Sequence, residues 1–121
     1  MSKRILVIED QEDNRRIVRD LLTSAGYEVI EAVTGEEGVG FAETQRPDLI
    51  LMDIQLPVLD GYEATRRIKA APALRQIPII VVTSYALSGD DVKAFEAGCD
   101  AYVTKPFVPR ELLAKVREYL G

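Results

Sequence analysis

The sequence contains no histidine and only one cysteine, and each shortage excludes a class of chemistry. Without histidine, the chain has neither a histidine-based catalytic group nor a histidine-ligated metal site. The single Cys99 excludes an internal disulfide, and so low a cysteine content is typical of a reducing compartment. We therefore expect a cytoplasmic protein without disulfide or imidazole chemistry.

Long apolar runs and basic clusters are also missing from the sequence. No apolar run approaches the roughly 20 residues that a membrane span requires, and no signal peptide is recognisable. The net charge of −5 and the lack of a basic stretch argue against direct binding of nucleic acid. The chain has 121 residues, 47% of them hydrophobic, which is typical of one globular domain, residues 1–121.

A buried strand that ends in a carboxylate dominates the middle of the chain. Four consecutive apolar residues, 49–52, run directly into Asp53, and Pro47 and Pro57 lie on either side. So short a run between prolines is typical of a strand. Because successive side chains point to opposite faces, both faces of this strand must be covered, as in the centre of a parallel sheet. Asp53 then lies at the carboxyl end, where open α/β sheets bind ligands.

Strand and helix patterns alternate five times along the chain. Strands are predicted at 4–8, 27–32, 49–53, 78–82 and 101–103, and each is followed by a helical pattern. This alternation predicts an α/β fold with three layers, in which helices cover both faces of a parallel five-stranded sheet. Of the doubly wound strand orders, five βα units favour 2-1-3-4-5.

Several helix boundaries can be predicted from capping residues. The predicted N-caps are, in chain order, Asp13 or Asn14, Thr34, Asp60 and Ser88. In the fourth helix, Val92 and Phe95 are predicted to face the core. The fifth helix is predicted to begin near Pro109.

The predicted strand order brings polar residues from separate strands to one edge of the sheet. Glu9 and Asp10 follow the first strand, Asp53 and Thr83 end the third and fourth, and Lys105 follows the fifth. Three neighbouring carboxylates repel one another, and a divalent cation with a preference for oxygen ligands, such as Mg²⁺, relieves that repulsion. A carboxylate beside Mg²⁺ can attack a phosphoryl group, while a lysine and a hydroxyl neutralise the phosphoryl oxygens.

These residues occur in the same order in a known protein family. The chain resembles the receiver domain of two-component response regulators, a flavodoxin/CheY-like fold, in Glu9-Asp10, Asp53, Asp60-Gly61, Thr83 and Lys105-Pro106. The resemblance extends from Lys3 to Leu120, and residues 51–57 are similar to the family's signature around its phosphorylated aspartate. It implies a phosphorylation-controlled signalling switch in a phosphorelay.

The resemblance also implies a metal site and a phosphorylation site. By this resemblance, Asp53 accepts a phosphoryl group from a phosphohistidine of a partner protein. Mg²⁺, or Mn²⁺ in its place, would be bound by Asp10, Asp53 and the backbone carbonyl of Gln55, with Glu9 acting through a water molecule. The only chemistry implied is self-phosphorylation and self-dephosphorylation, so the chain is not expected to be an enzyme acting on a separate substrate.

Thr83 and Tyr102 are implied to be a switch pair. Thr83 would turn toward the phosphate, Tyr102 would move inward behind it, and the face of helix four, strand five and helix five would change shape for a downstream protein. The family resemblance also implies a cis peptide bond before Pro106. We expect a monomer or weak dimer.

The phosphodonor would be a histidine kinase or a histidine phosphotransfer protein. Because the sequence stops at Gly121, directly after the fifth helix, we expect a stand-alone receiver without an output domain. Two alternatives stay open: a receiver domain taken from a hybrid histidine kinase, and a receiver-like module that binds partners constitutively. The resemblance also implies that Gln55 and Tyr85 influence the lifetime of the phosphorylated state and the choice of partner.

Two functions from other classes fit the residues poorly. A flavodoxin-like flavin protein needs a phosphate-binding loop after the first strand, whereas residues 9–13 form an acidic stretch that repels phosphate in the absence of a metal. A phosphatase with an aspartyl nucleophile would have a second acid two residues after Asp53, but Gln55 occupies that position.

Overall fold

Five strands alternate with five helices in the computed structural model, which describes residues 2–83 and 90–120. The strands are β1 (Arg4–Ile8), β2 (Glu28–Ala32), β3 (Leu49–Asp53), β4 (Ile79–Thr83) and β5 (Ala101–Thr104). The helices are α1 (Glu12–Ser24), α2 (Gly35–Gln45), α3 (Gly61–Ala70), α4 (Asp90–Ala97) and α5 (Pro109–Leu120). None of the helices within the described ranges has the length and apolar composition needed to cross a bilayer.

All neighbouring strands pair in parallel, in the order β2-β1-β3-β4-β5. This confirms the predicted three-layer fold and its strand order. Every residue of β3 and β4 is buried, whereas the edge strands β2 and β5 are partly exposed. The continuous apolar runs of the central strands follow from this position, because helices cover both of their faces.

The alternation of side chains along each strand divides the core into two halves. One half contains Leu6, Ile50 and Met52 and packs against buried residues of α2, α3 and α4. The other half contains Val7 and Leu51 and packs against buried residues of α1 and α5. Because successive side chains of a strand point to opposite faces, one short apolar run contributes to both halves.

Two of the predicted helix caps are confirmed and one is wrong. The Thr34 hydroxyl accepts a hydrogen bond from the Glu37 N–H at 3.0 Å, and the Asp60 carboxylate accepts one from the Glu63 N–H at 2.9 Å. Helix α1, however, begins at Glu12 rather than after Asp13 or Asn14, and its N-cap is Gln11, whose side chain makes no capping hydrogen bond.

The prediction that Val92 and Phe95 face the core is also wrong. Their exposed fractions are 53% and 50%, whereas Ala94 and Ala97 are buried. Positions 92 and 95 and positions 94 and 97 have the same spacing, so periodicity alone cannot distinguish the two faces. The small alanines allow this short helix to lie close to the sheet. Ser88, the predicted cap of the fourth helix, and Tyr85 lie outside the described residues.

Candidate functional site

Acidic side chains meet at the carboxyl edge of the sheet, where β1 and β3 end side by side. Ile8 lies opposite Met52 in the register of these two strands, so Glu9 and Asp53 are the next pair along. One carboxylate oxygen from each of Glu9, Asp10 and Asp53 lies within 4.8 Å of the others. Glu9 is 4% exposed and Asp53 6% exposed, so two of the three carboxylates are almost fully shielded from water.

Lys105 lies against this cluster, and its nearest partner is Glu9 rather than Asp53. The Lys105 Nζ atom is 2.6 Å from Glu9 Oε1 and 3.8 Å from Asp53 Oδ2. The Lys105 N–H also donates to the Thr83 carbonyl at 2.7 Å, which ties the loop after β5 to the end of β4. The peptide bond between Lys105 and Pro106 is cis, as expected.

The electrostatic balance of the site raises the pKa of the Glu9 carboxyl. Burial is the largest cause, because it disfavours the charged form, and the neighbouring Asp53 carboxylate acts in the same direction. The hydrogen bonds from the Lys105 ammonium and the Gln11 N–H partly offset this effect. The hydrogen bonds from Lys105 and Gln11 therefore do not fully offset the combined effect of burial and of the neighbouring Asp53 carboxylate on the pKa of Glu9.

Backbone N–H groups hold two of the carboxylates in fixed orientations. The Gln55 N–H donates to Asp53 Oδ1 at 3.2 Å, and the Gln11 N–H donates to Glu9 Oε2 at 3.1 Å. In each case the donor lies two residues after the acid, in the turn that leaves the strand. Gln55 therefore reaches the site through its main chain, and the predicted role of its carbonyl as a metal ligand stays a prediction.

Gly61, a member of the Asp60-Gly61 pair, allows α3 to begin directly against the end of β3. A Cβ atom at this position would lie far inside van der Waals contact with the Asp53 carbonyl oxygen and close to the Ile54 Cα. The Gly61 N–H donates to the Ile54 carbonyl at 3.0 Å, and Asp60 caps the helix. The absence of a side chain thus permits the tight turn that positions Asp53.

Thr83 and Tyr102 lie on the adjacent strands β4 and β5. Thr83 is 1% exposed at the end of β4, and Tyr102, opposite Val81 in the register, is half-buried against the core half that contains α3 and α4. Val81 and Thr83 are two residues apart, so the Thr83 and Tyr102 side chains extend from the same face of the sheet. Their common face is compatible with the predicted switch pair, which stays a prediction.

Arg15 is a contributor to the site that the sequence did not identify. Its guanidinium donates to the Glu9 carbonyl oxygen at 3.0 Å and to the Glu31 carboxylate at 3.0 Å. A bond to a main-chain carbonyl leaves no signature in the residue types, and an arginine near the start of a helix usually lies in solvent. Only the acidic Glu31, on the neighbouring strand β2, could have suggested that Arg15 is anchored.

The cluster has the chemistry of a site for a hard divalent cation. Its donors are carboxylate oxygens from two adjacent strand ends, and the chain contains no histidine that would favour a softer metal. The partly exposed Asp10 leaves the cluster open on one side, whereas Glu9 and Asp53 form its floor. These residues therefore fit Mg²⁺ or Mn²⁺, with positions left for water and for an oxygen of a ligand.

Comparison with known proteins finds the same family across almost the whole chain. The profile of the response regulator receiver domain matches residues 5–117. The polar-differentiation response regulator DivK of Brucella anthropi is 42% identical over 121 residues, which are 100% of this chain and 98% of that protein. DivK of Brucella ovis is 41% identical over the same lengths.

A solved structure with a similar level of sequence identity to this chain is the receiver domain of the sensor histidine kinase PA1611 from Pseudomonas aeruginosa PAO1. It has a magnesium ion coordinated in its active-site cleft. It is 42% identical, has a TM-score of 0.93, and the match covers 100% of this chain and 99% of that one. The chemotaxis response regulator CheY4 of Vibrio cholerae is 27% identical with a TM-score of 0.92, and 98% of this chain and 99% of that chain are covered.

Proposed function

The chain belongs to the response regulator receiver domain family of two-component signalling, and we propose that it is a phosphorylation-controlled switch whose phosphoacceptor is Asp53. The observation that carries this proposal is the cluster of Glu9, Asp10 and Asp53, in which carboxylate oxygens approach within 4.8 Å beside Lys105. Two buried acids that share one lysine, at the edge where open α/β sheets bind ligands, support a functional role for this cluster.

The cation for this site is Mg²⁺, or Mn²⁺ in its place. Asp10, Asp53 and the Gln55 carbonyl would hold the ion, and Glu9 would contact it through water. When bound, the ion neutralises the carboxylates and the incoming phosphoryl oxygens. The magnesium ion in the receiver domain of the Pseudomonas kinase supports this assignment, because that domain is 42% identical to this chain.

In the phosphorylation step, an oxygen of the Asp53 carboxylate attacks the phosphorus atom of a phosphohistidine. The new O–P bond forms as the P–N bond breaks, and the imidazole leaves with a proton from solvent. The hydrogen bond from the Gln55 N–H fixes the carboxylate, so the attacking oxygen needs little reorientation. Water then attacks the phosphorus of the acyl phosphate, the O–P bond to Asp53 breaks, and inorganic phosphate leaves with the free Asp53 carboxylate restored.

Lys105 and Thr83 stabilise the charge of the phosphoryl group. The Lys105 ammonium lies 3.8 Å from Asp53 Oδ2, close enough to reach a phosphoryl oxygen attached to that carboxylate. Thr83, at the end of the adjacent strand, supplies a hydroxyl donor. These roles need positioning and charge rather than acid–base chemistry, which agrees with the absence of histidine.

The output of the switch is a change of shape in the face formed by α4, β5 and α5. Thr83 would move toward the phosphoryl group and Tyr102 would follow from the same side of the sheet. The exposed Val92 and Phe95 of α4 give this face an apolar surface that a downstream protein can contact.

The phosphodonor is a histidine kinase or a histidine phosphotransfer protein. DivK and the kinase-linked receiver have the same identity to this chain, 42%, so a stand-alone regulator and a receiver of a hybrid kinase are supported equally. In either case, this chain would use the same chemistry at Asp53. A screen for phosphotransfer to and from the kinases and phosphotransfer proteins of the source organism would identify the phosphodonor.

The proposal is tested by incubating the protein with acetyl phosphate and Mg²⁺ and measuring its intact mass. We expect the addition of one phosphoryl group to the wild-type protein and none to Asp53→Asn. The matched control is Asp60→Asn, in which an acid near the site is replaced by an equally good helix cap, and it should be labelled like the wild type. Equal labelling of Asp53→Asn and wild type would exclude Asp53 as the acceptor.

A further inference from the structure

The main chain of Glu9 is held from both sides by strand β2 and by Arg15. Its N–H donates to the Ala32 carbonyl at 3.0 Å, and its carbonyl accepts from the Arg15 guanidinium at 3.0 Å. Arg15 is itself anchored by Glu31 on β2, through a 3.0 Å ion pair. The Arg15 side chain is only 16% exposed, so this is a partly buried bridge and not a solvated surface contact.

The bond from Arg15 fixes the orientation of the peptide unit that joins Glu9 to Asp10. Because a peptide unit is planar, the direction of the Glu9 carbonyl also sets the direction of the Asp10 N–H and the position of the Asp10 Cα. Asp10 is the most exposed of the three acids and lies in the turn between β1 and α1. It has no regular strand or helix of its own to hold it in place.

We propose that Arg15 is a positioning residue for the divalent-cation site, which holds Asp10 in register with Asp53 by fixing the Glu9–Asp10 peptide unit. This inference rests on the proposed function and adds a residue that contacts neither the ion nor the phosphoryl group. A planar guanidinium is suited to the task, because it donates to a carbonyl and a carboxylate at once in a fixed geometry.

If Arg15 acted on the site only through its charge, its replacement would change the cation affinity in the opposite direction. Replacing Arg15 with glutamine makes the surroundings of the acids more negative, which by charge alone strengthens cation binding. Loss of the positioning bond weakens it. Arg16 provides a matched control, because it is the next residue, carries the same charge and, among the residues that the structure describes, forms an ion pair only with the exposed Glu12, at 3.3 Å.

The experiment is a Mg²⁺ titration of the full chain, followed by the backbone amide resonances of residues 10 and 53 in NMR spectra. We expect Arg15→Gln to bind Mg²⁺ about tenfold more weakly than wild type, the lower range for loss of a group that supports metal ligands. Arg16→Gln should bind as wild type or slightly more tightly. The Asp10 amide resonance of the metal-free protein should shift in Arg15→Gln but not in Arg16→Gln.

Arg15→Lys is the second variant, because it keeps the charge and fold while losing the forked geometry. Its Mg²⁺ affinity should fall between wild type and Arg15→Gln, with a melting temperature close to wild type. Equal Mg²⁺ affinity in Arg15→Gln and Arg16→Gln, or in Arg15→Lys and wild type, would overturn the inference. Failure of the wild-type protein itself to bind Mg²⁺ would instead contradict the proposed function.

Discussion

The two ends of the sheet carry charged groups that are balanced in different ways. At the amino edge, the Lys69 ammonium donates to the carbonyls of Arg75 and Ile77 at 3.1 and 2.8 Å and to the Asp100 carboxylate at 2.9 Å. The same Asp100 oxygen accepts the Ile79 N–H at 2.8 Å. Each of the three lysine protons thus has an acceptor, and the charges match one to one.

At the carboxyl edge, three carboxylates face one lysine within the part of the chain that the structure describes. The amino edge joins loops and needs no ligand, whereas the carboxyl edge keeps an excess of negative charge that a cation can neutralise. A cluster whose charges are balanced by its own partners is structural, whereas a cluster with excess charge is a candidate for binding. We therefore expect the loss of a charged group to destabilise the amino edge but to stabilise the metal-free carboxyl edge, and we expect only the carboxyl edge to respond to Mg²⁺.

The largest change in stability is expected from Gly61→Ala, which tests whether backbone packing holds the carboxyl edge. The new Cβ would overlap the Asp53 carbonyl oxygen, and relief requires movement of main chain rather than of a flexible side chain. We expect a loss of about 3 kcal/mol in the free energy of unfolding, measured with urea. Gly40→Ala in α2, where nothing lies within 4 Å of the added atom, should gain up to about 1 kcal/mol.

A smaller loss is expected at the amino edge from Lys69→Met. This change removes three hydrogen bonds and leaves Asp100 without its ion pair, which should cost about 2 kcal/mol. The loss should be the same with and without Mg²⁺, because the site lies at the opposite end of the strands. Lys115→Met, which removes only an exposed pair with Glu118, should change stability by less than about 0.5 kcal/mol.

The smallest change, with the opposite sign, is expected from Asp53→Asn in metal-free protein. Removing one of the crowded carboxylates should stabilise the chain by on the order of 1 kcal/mol, because repulsion from Glu9 and Asp10 is relieved. Thermal melts in EDTA and in millimolar Mg²⁺ measure both effects. Mg²⁺ should raise the melting temperature of wild type more than that of the variant, and equal increases would contradict the shared-cation arrangement.

The parts of the fold and site that follow from local pattern were predictable. The apolar runs ending in Glu9, Asp53 and Thr83 indicated parallel strands, and the geometry of such sheets brings their ends together. The inner face of α4 was not predictable, because the spacing of Val92 and Phe95 equals that of Ala94 and Ala97. That choice depends on how closely the helix approaches the sheet, which is a tertiary property.

Contacts made by the main chain were the other part that the sequence did not reveal. The bond from Arg15 to the Glu9 carbonyl and the close approach of Gly61 to Asp53 depend on where the backbone of one element passes another. The Gln11 N-cap has the same origin. Its N–H donates to the Glu9 carboxylate, and α1 begins directly after it, before the nearest favourable capping residue.

The anchored backbone of Lys105 determines how its ammonium can move between the acids of the site. Its amide is tied to the Thr83 carbonyl, while its ammonium reaches Glu9 at 2.6 Å and lies only 3.8 Å from Asp53. Transfer of the ammonium from one acid to the other therefore requires only rotation about side-chain bonds, without remodelling of the loop. Side-chain rotations are faster than helix motions, so the lysine can follow an arriving group before any helix has moved.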